Sequence, residues 1–177
     1  MIKKNIRETI KEYFFLNPTS KLRVRQIEKA LKLPLPSVIR YSKELEEEGI
    51  LVTIKTGNII FYTADRANET FLLEKKLFNI GQIYKSGLIN FLRHELSNPV
   101  IVLFGSYAKG EDTETSDIDM YVETPSKKEI SLDKFERKLQ RKLQVFRHKN
   151  IKEIKNKHLV NNILNGITLN NYLEVFK

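Results

Sequence analysis

The chain is expected to fold as an α+β protein, α/β in its C-terminal part, with a helical connector between two modules. Three observations predict this. Residues 3–48 carry apolar positions at helical spacing, broken at Pro18 and at Pro34-Leu35-Pro36, and two β-rich runs follow, Ile50–Ile54 and Ile59–Thr63. Residues 66–97 keep a helical apolar period. The apolar run Val100-Ile101-Val102-Leu103-Phe104 then enters Gly105-Ser106, and ten residues separate Ser106 from Asp117-Ile118-Asp119-Met120-Tyr121-Val122, which reads as a second strand of a small mixed sheet. The expected divisions are 1–65, 66–97 and 98–177.

Composition narrows the class. Hydrophobic residues make up 41% of the 177 and charged residues 30%, which suits a packed, water-soluble chain. The absence of cysteine excludes disulfides and thiolate metal sites, so a reducing, cytoplasmic address is the expectation. No segment approaches the roughly 18 consecutive apolar residues of a membrane helix. The first eight residues lack the apolar core of a secretory signal. The formal charge of +9 favours a polyanionic partner. Its sharpest excess lies between Lys134 and Lys157, where ten Lys and Arg face only Glu136 and Glu153.

In the N-terminal module, Ile6, Ile10 and Tyr13 or Phe14 make the inner face of a first helix over 3–16, which Pro18 follows. Val24, Ile27, Ala30 and Leu31 do the same for a second helix near Val24–Leu33. Ser37 is a suitable N-cap for a third, Val38–Glu48, which Gly49 ends. Lys55-Thr56-Gly57-Asn58 joins the two β runs as a hairpin. Three helices and a hairpin in this order, with Leu-Glu-Glu-Glu-Gly-Ile-Leu at 45–51, resemble a winged helix-turn-helix. That resemblance implies DNA binding, with Ser37, Ile39, Arg40 and Lys43 facing a major groove and Lys55 on the wing. Arg40 suits a guanine edge, and Lys43 and Lys55 suit phosphate. Glu44, Glu46, Glu47 and Glu48 crowd the far end of the third helix and oppose insertion of its whole length.

In the connector, Phe71, Leu72, Leu77 and Phe78 precede Gly81, and Ile83, Leu88, Phe91 and Leu92 follow. Breaks are expected at Gly81 and Gly87, since each glycine weakens a helix. The apolar content marks helices that pack on a module or form the seam of a homodimer.

The C-terminal module carries the chemistry. Residues i and i+2 of a strand share a face, so Asp117 and Asp119 project together. Two adjacent carboxylates repel unless a cation lies between them, and Mg²⁺ is held by such oxygen ligands together with substrate phosphates. Gly105 lets a phosphate approach the backbone, Ser106 offers a hydroxyl, and Lys109 is within reach of the same group. The string Gly105-Ser106-Tyr107-Ala108-Lys109-Gly110 followed by Ser116-Asp117-Ile118-Asp119 resembles the polymerase-beta-like nucleotidyltransferases, and the minimal branch in particular.

The resemblance implies Mg²⁺ or Mn²⁺ on the catalytic Asp117 and Asp119. It implies ATP or another nucleoside triphosphate on Gly105, Ser106 and Lys109, with transfer of a nucleoside monophosphate to a hydroxyl. Members of the family place a third carboxylate on the next strand. Here a helix over Leu132–Lys142 leads to the strand Leu143–Arg147, where the equivalent position is Gln144, a neutral residue. No Asp or Glu lies between Glu136 and Glu153.

An amphipathic run over Asn150–Leu164 and short strands at Ile167–Leu169 and Tyr172–Phe176 should close the module. His94, His148 and His158 show no metal-ligand spacing. Two functions follow. One is a nucleotidyltransferase linked to a DNA-binding module, with a macromolecule or a toxin-like partner protein as acceptor. The other is a non-catalytic, nucleotide-sensing winged-helix regulator.

Overall fold

The computed structural model describes residues 5–175. Two compact units, Met1–Lys75 and Lys76–Lys177, divide within the long helix α4 (Glu69–Ser86). Among the described residues no helix is long and apolar enough to cross a membrane.

The first unit runs α1 (Ile6–Leu16), α2 (Val24–Leu31), α3 (Leu35–Glu47), β1 (Leu51–Thr56) and β2 (Ile59–Ala64). Asn5 opens α1, its side chain accepting from the Arg7 backbone N–H; residues 3 and 4, included in the expected helix, lie outside the described residues. The period-3.6 positions Ile10, Phe14, Ile27, Val38 and Leu45 are fully buried and form the centre of the unit.

Two helix ends differ from expectation. Helix α2 stops at Leu31, because Lys32 turns into the left-handed region at φ 52°. Helix α3 begins at Leu35 after Pro34, so Ser37 lies inside its first turn and does not cap it. Prolines fit a first turn, whose backbone N–H groups have no helical acceptor. Gly49 ends α3 as expected, at φ 77°, and Ile50 N donates to Leu45 O at 2.9 Å. The hairpin turns through Gly57-Asn58, with Gly57 at φ 60°, and Leu22 adds one antiparallel rung to Tyr62 through bonds of 2.9 and 2.8 Å.

The second unit contains the end of α4 and then α5 (Leu88–Glu95), β3 (Val100–Phe104), α6 (Gly105–Lys109), β4 (Ile118–Glu123), α7 (Asp133–Leu139), β5 (Leu143–His148), a 3-10 turn (Ile151–Glu153), α8 (Lys157–Leu164) and β6 (Ile167–Asn170). The sheet order is β5-β4-β3-β6; β4 and β5 are parallel, joined by α7, and the other pairs are antiparallel. Alternation splits the sheet between two cores. Ile101, Leu103, Ile118, Met120 and Val122 pack with Leu88, Leu92, Phe135 and Leu139, while Val102, Phe104 and Tyr121 pack with Ile151 and Ile163.

Helix α4 passes through Gly81 without a break; the interruption comes at Gly87, whose φ of 86° places it in the left-handed region. The run 150–164 is two pieces, since Asn150 and Asn156 each cap a new start. Residues 172–175 form no strand, and Phe176 lies outside the described residues.

Gly166 brings β6 against β3: a Cβ there would meet Leu103 O at 2.6 Å and Val102 Cγ1 at 2.7 Å. The carbonyl is backbone and cannot move aside. Gly166→Ala is therefore expected to lower the unfolding free energy by about 1–3 kcal/mol, measured by chemical denaturation. An unchanged midpoint would contradict this close approach.

Candidate functional site

Antiparallel pairing of β3 and β4 sets Phe104 opposite Asp119, so the end of one strand delivers Gly105 and Ser106 beside the start of the other. The fit is tight. Gly105 has φ 76°, and a Cβ on it would collide with Asp119 Oδ2. Both the backbone angle and the space demand glycine. Asp117 immediately precedes β4 and is exposed, and strand alternation turns it to the face of Asp119.

The loop between the two halves is held from both sides. Glu111 N donates to Ser106 O at 3.0 Å, and Gly110, at φ 78°, closes α6. Thr113 N donates to Ser116 Oγ at 2.9 Å, which fixes the approach to Asp117. From α4, the buried Asn79 donates through Nδ2 to Tyr107 O at 2.9 Å and to Asp112 Oδ1 at 2.7 Å; Asp112 is buried as well.

Burial raises the pKa of Asp119 above the ordinary Asp value, and the negative charge of Asp117 adds to the effect. A cation would relieve both penalties, and two carboxylates are a sufficient protein contribution for Mg²⁺ or Mn²⁺. The residues present thus fit a divalent ion.

Gln144 is the register partner of Asp119 across the parallel β4–β5 pair, and it is exposed. Its strand neighbours confirm the shared face: Leu143 and Val145 pack on the α7 side, Phe146 on the side of Tyr121. No carboxylate replaces it. Glu136 sits on α7, across the sheet, and accepts from Leu143 N at 2.9 Å. Glu123 lies farther along β4, held by Tyr121 Oη and Ile151 N at 2.8 Å each. Among the described residues there is no group of three His, Cys, Asp or Glu side chains able to hold a metal.

A cavity of about 370 Å³ opens over the Gly105-Ser106 turn, lined by Ser106, Lys109, Lys76, Asn162 and Asn165 among others. Sequence reasoning named Gly105, Ser106 and Lys109 but missed Lys76, Asn162 and Asn165. Residues 85–169 match the family model of the nucleotidyltransferase domain. The matched residues take in the four-stranded sheet from β3 to near the end of β6 and all of Gly105, Ser106, Lys109, Asp117, Asp119 and Gln144.

No curated protein matches the chain. The crystal structure of Pseudomonas aeruginosa HmgR is similar at 18% identity over 57% of this chain and 41% of that chain, with a TM-score of 0.35, too slight a likeness to carry an argument.

In the other unit, Ile39, Arg40 and Lys43 lie exposed on α3, Ser37 is half-buried in its first turn, and Lys55 is exposed on β1. Arg40 lies over the Tyr41 ring, its guanidinium 4.4 Å from the centroid, and it pairs with Glu44 at 3.7 Å. Lys43 pairs with Glu47 at 3.9 Å. Exposed i,i+4 pairs of this kind contribute about 0.3–0.5 kcal/mol, little enough for a phosphate to displace them. A second basic group was missed: Arg23, Arg25 and Lys29 border a hollow of about 400 Å³ beside Ile60. The spacing of these three around α2 was visible in the sequence.

With its folded pKa raised, Asp119 favours the folded state most below the ordinary Asp range, and that contribution is lost as pH rises through the raised value. At neutral pH without divalent ions, Asp119→Asn should therefore melt a few degrees higher than the wild type, and the gap should close as pH falls towards 4. Thermal melts in chelator check this. A variant that melts lower at neutral pH would contradict the electrostatic reading.

Proposed function

We propose that the chain is a nucleotidyltransferase that binds a nucleoside triphosphate, ATP in the first instance, with Mg²⁺ or Mn²⁺, and transfers its nucleoside monophosphate to a hydroxyl. The acceptor is a macromolecule or a partner protein, as in a toxin–antitoxin pair. A winged helix in the first unit links this chemistry to DNA. The observation that carries the reading is the fit of the Asp119 carboxylate into the space above Gly105, which joins both halves of the nucleotidyltransferase motif beside a cavity of about 370 Å³ that Gly105 and Ser106 line.

Asp117 and Asp119 would hold the divalent ion, which when bound supplies charge neutralisation at the phosphates. The remaining roles belong to the chain. Gly105 admits a phosphate oxygen to the backbone, Ser106 donates its hydroxyl, and Lys76 and Lys109 bring positive charge to the same cavity. Asn162 of α8 and Asn165, which caps its end, offer amide groups to the same cavity. Removal of the acceptor's proton falls to no acid of this chain, since Gln144 is neutral and cannot act as a base. The acceptor or its carrier then supplies that group.

Gln144 also supports a second reading: a regulator that binds the metal–nucleotide complex without turning it over and whose occupancy controls DNA binding. In both readings the first unit meets DNA through Ile39, Arg40, Lys43 and Lys55, and Arg23, Arg25 and Lys29 add positive charge for phosphate.

Incubation of the protein with α-labelled ATP, Mg²⁺ and a lysate of its source distinguishes them. Label on a discrete acceptor with wild type, absent with Asp117→Asn/Asp119→Asn, supports transfer. Binding of Mg-ATP with no label supports the regulator, and failure of Mg-ATP to bind overturns both. Lys76→Ala is expected to weaken Mg-ATP binding by about tenfold, the scale of one charge-assisted contact of some 1.4 kcal/mol. Gln144→Glu should tighten Mn²⁺ binding, read by titration calorimetry, because it completes three carboxylates on one face. Arg40→Ala/Lys43→Ala should weaken DNA binding and flatten its salt dependence, measured by fluorescence anisotropy across ionic strengths.

A further inference from the structure

The longest helix, α4, carries an apolar face that its own chain leaves uncovered. Leu73, Leu77 and Tyr84 are 56%, 59% and 49% exposed. At about 100° per residue they fall, with Gly81, within a stripe about 80° wide. Tyr84 keeps its hydroxyl bonded to Leu169 O at 2.8 Å while half of the side chain faces outward.

Gly81 sharpens the question. A glycine in a helix interior costs about 1 kcal/mol relative to alanine. A Cβ at Gly81 would meet nothing within 4 Å, so packing within the chain does not require the missing side chain. A second helix lying along the stripe would require it.

The positions on either side of Leu77 are complementary to one another. Four residues before it stands Leu73 and four after it Gly81, a protrusion and a gap. Eight before stands Glu69 and eight after Lys85, both exposed and of opposite charge. An antiparallel pair of identical helices related by a two-fold axis places position 77 − n against position 77 + n of the other copy, which is the requirement of an isologous contact.

We propose that α4 pairs antiparallel with the α4 of a second copy of this chain, about a two-fold axis at Leu77. Leu77 meets its own symmetry mate, each Leu73 enters the space above the partner's Gly81, and each Glu69 faces the partner's Lys85. The pairing is independent of the nucleotide site.

Sedimentation velocity of the full chain at micromolar concentration is expected to give twice the 20.8 kDa mass. Leu77→Glu sets two carboxylates against each other on the axis and should yield monomer with unchanged helical circular dichroism, since Leu77 is exposed. Gly81→Leu fills the gap that Leu73 needs and should raise the dimer dissociation constant at least about tenfold without loss of helix. The chain has no cysteine, so single-cysteine variants report without background. Leu77→Cys should join to itself on mild oxidation, whereas Tyr84→Cys, about 10 Å along the helix from the axis, should not. A wild-type monomer, which would leave the face to a different protein, overturns the proposal. So does a dimer that survives Leu77→Glu, one that Gly81→Leu strengthens, or cross-linking of Tyr84→Cys as ready as that of Leu77→Cys.

Discussion

The second unit depends on the antiparallel ladder between β3 and β4. Its register sets Phe104 against Asp119, and from that one pairing the rest of the site follows. Gly105 must turn left-handed where the strand ends, its bare Cα is overlain by the Asp119 carboxylate, and Asp117 comes to the same face two residues earlier. A slip of one residue in this ladder would turn both carboxylates into the apolar core formed with α5 and α7. The cores on both faces therefore protect the register: Ile118, Met120 and Val122 cannot leave one side, nor Tyr121 the other, without exposing large apolar area.

The positive charge of the chain is less of a unit than its run in the sequence suggests. Lys134 lies over Phe91 at 4.4 Å, Lys138 donates to the last carbonyls of α4, and Arg147 donates to Lys128 O at 2.6 Å. Part of the basic run between 134 and 157 thus closes helices and loops. In the first unit Arg40 and Lys43 pair with Glu44 and Glu47 on their own helix, pairs weak enough to exchange for another anion.

What was legible in the sequence was local or periodic. Gly105-Ser106 and Asp117-x-Asp119 are short patterns at the ends of strongly apolar strands, and the period of β5 sufficed to put Gln144 in the position beside Asp119. The hairpin and the glycine stop at Gly49 were likewise written in turn chemistry. Helix starts were less legible, since Pro34-Leu35-Pro36 reads as a break although prolines are well placed in a first turn. Lys76, Asn79, Asn162 and Asn165 were not legible at all. They reach the site from α4, from α8 and from the cap that ends α8, far away in the chain, and a lysine or asparagine there has the same local signature whether it faces solvent or a cavity. Asp112 hid for the same reason: only the folded chain brings Asn79 to it.

The juxtaposition of Asp117 and Asp119 beside a cavity that holds Lys76 and Lys109 has a thermodynamic consequence. The two carboxylates repel a polyphosphate, and the two lysines repel a divalent cation. Were both to bind as proposed, each guest would lower the cost of admitting the other, and linkage would make that cooperativity reciprocal: whatever factor the ion adds to the affinity for the anion, the anion adds to the affinity for the ion. The occupancy of such a pocket by either guest would then rise with the concentration of the other.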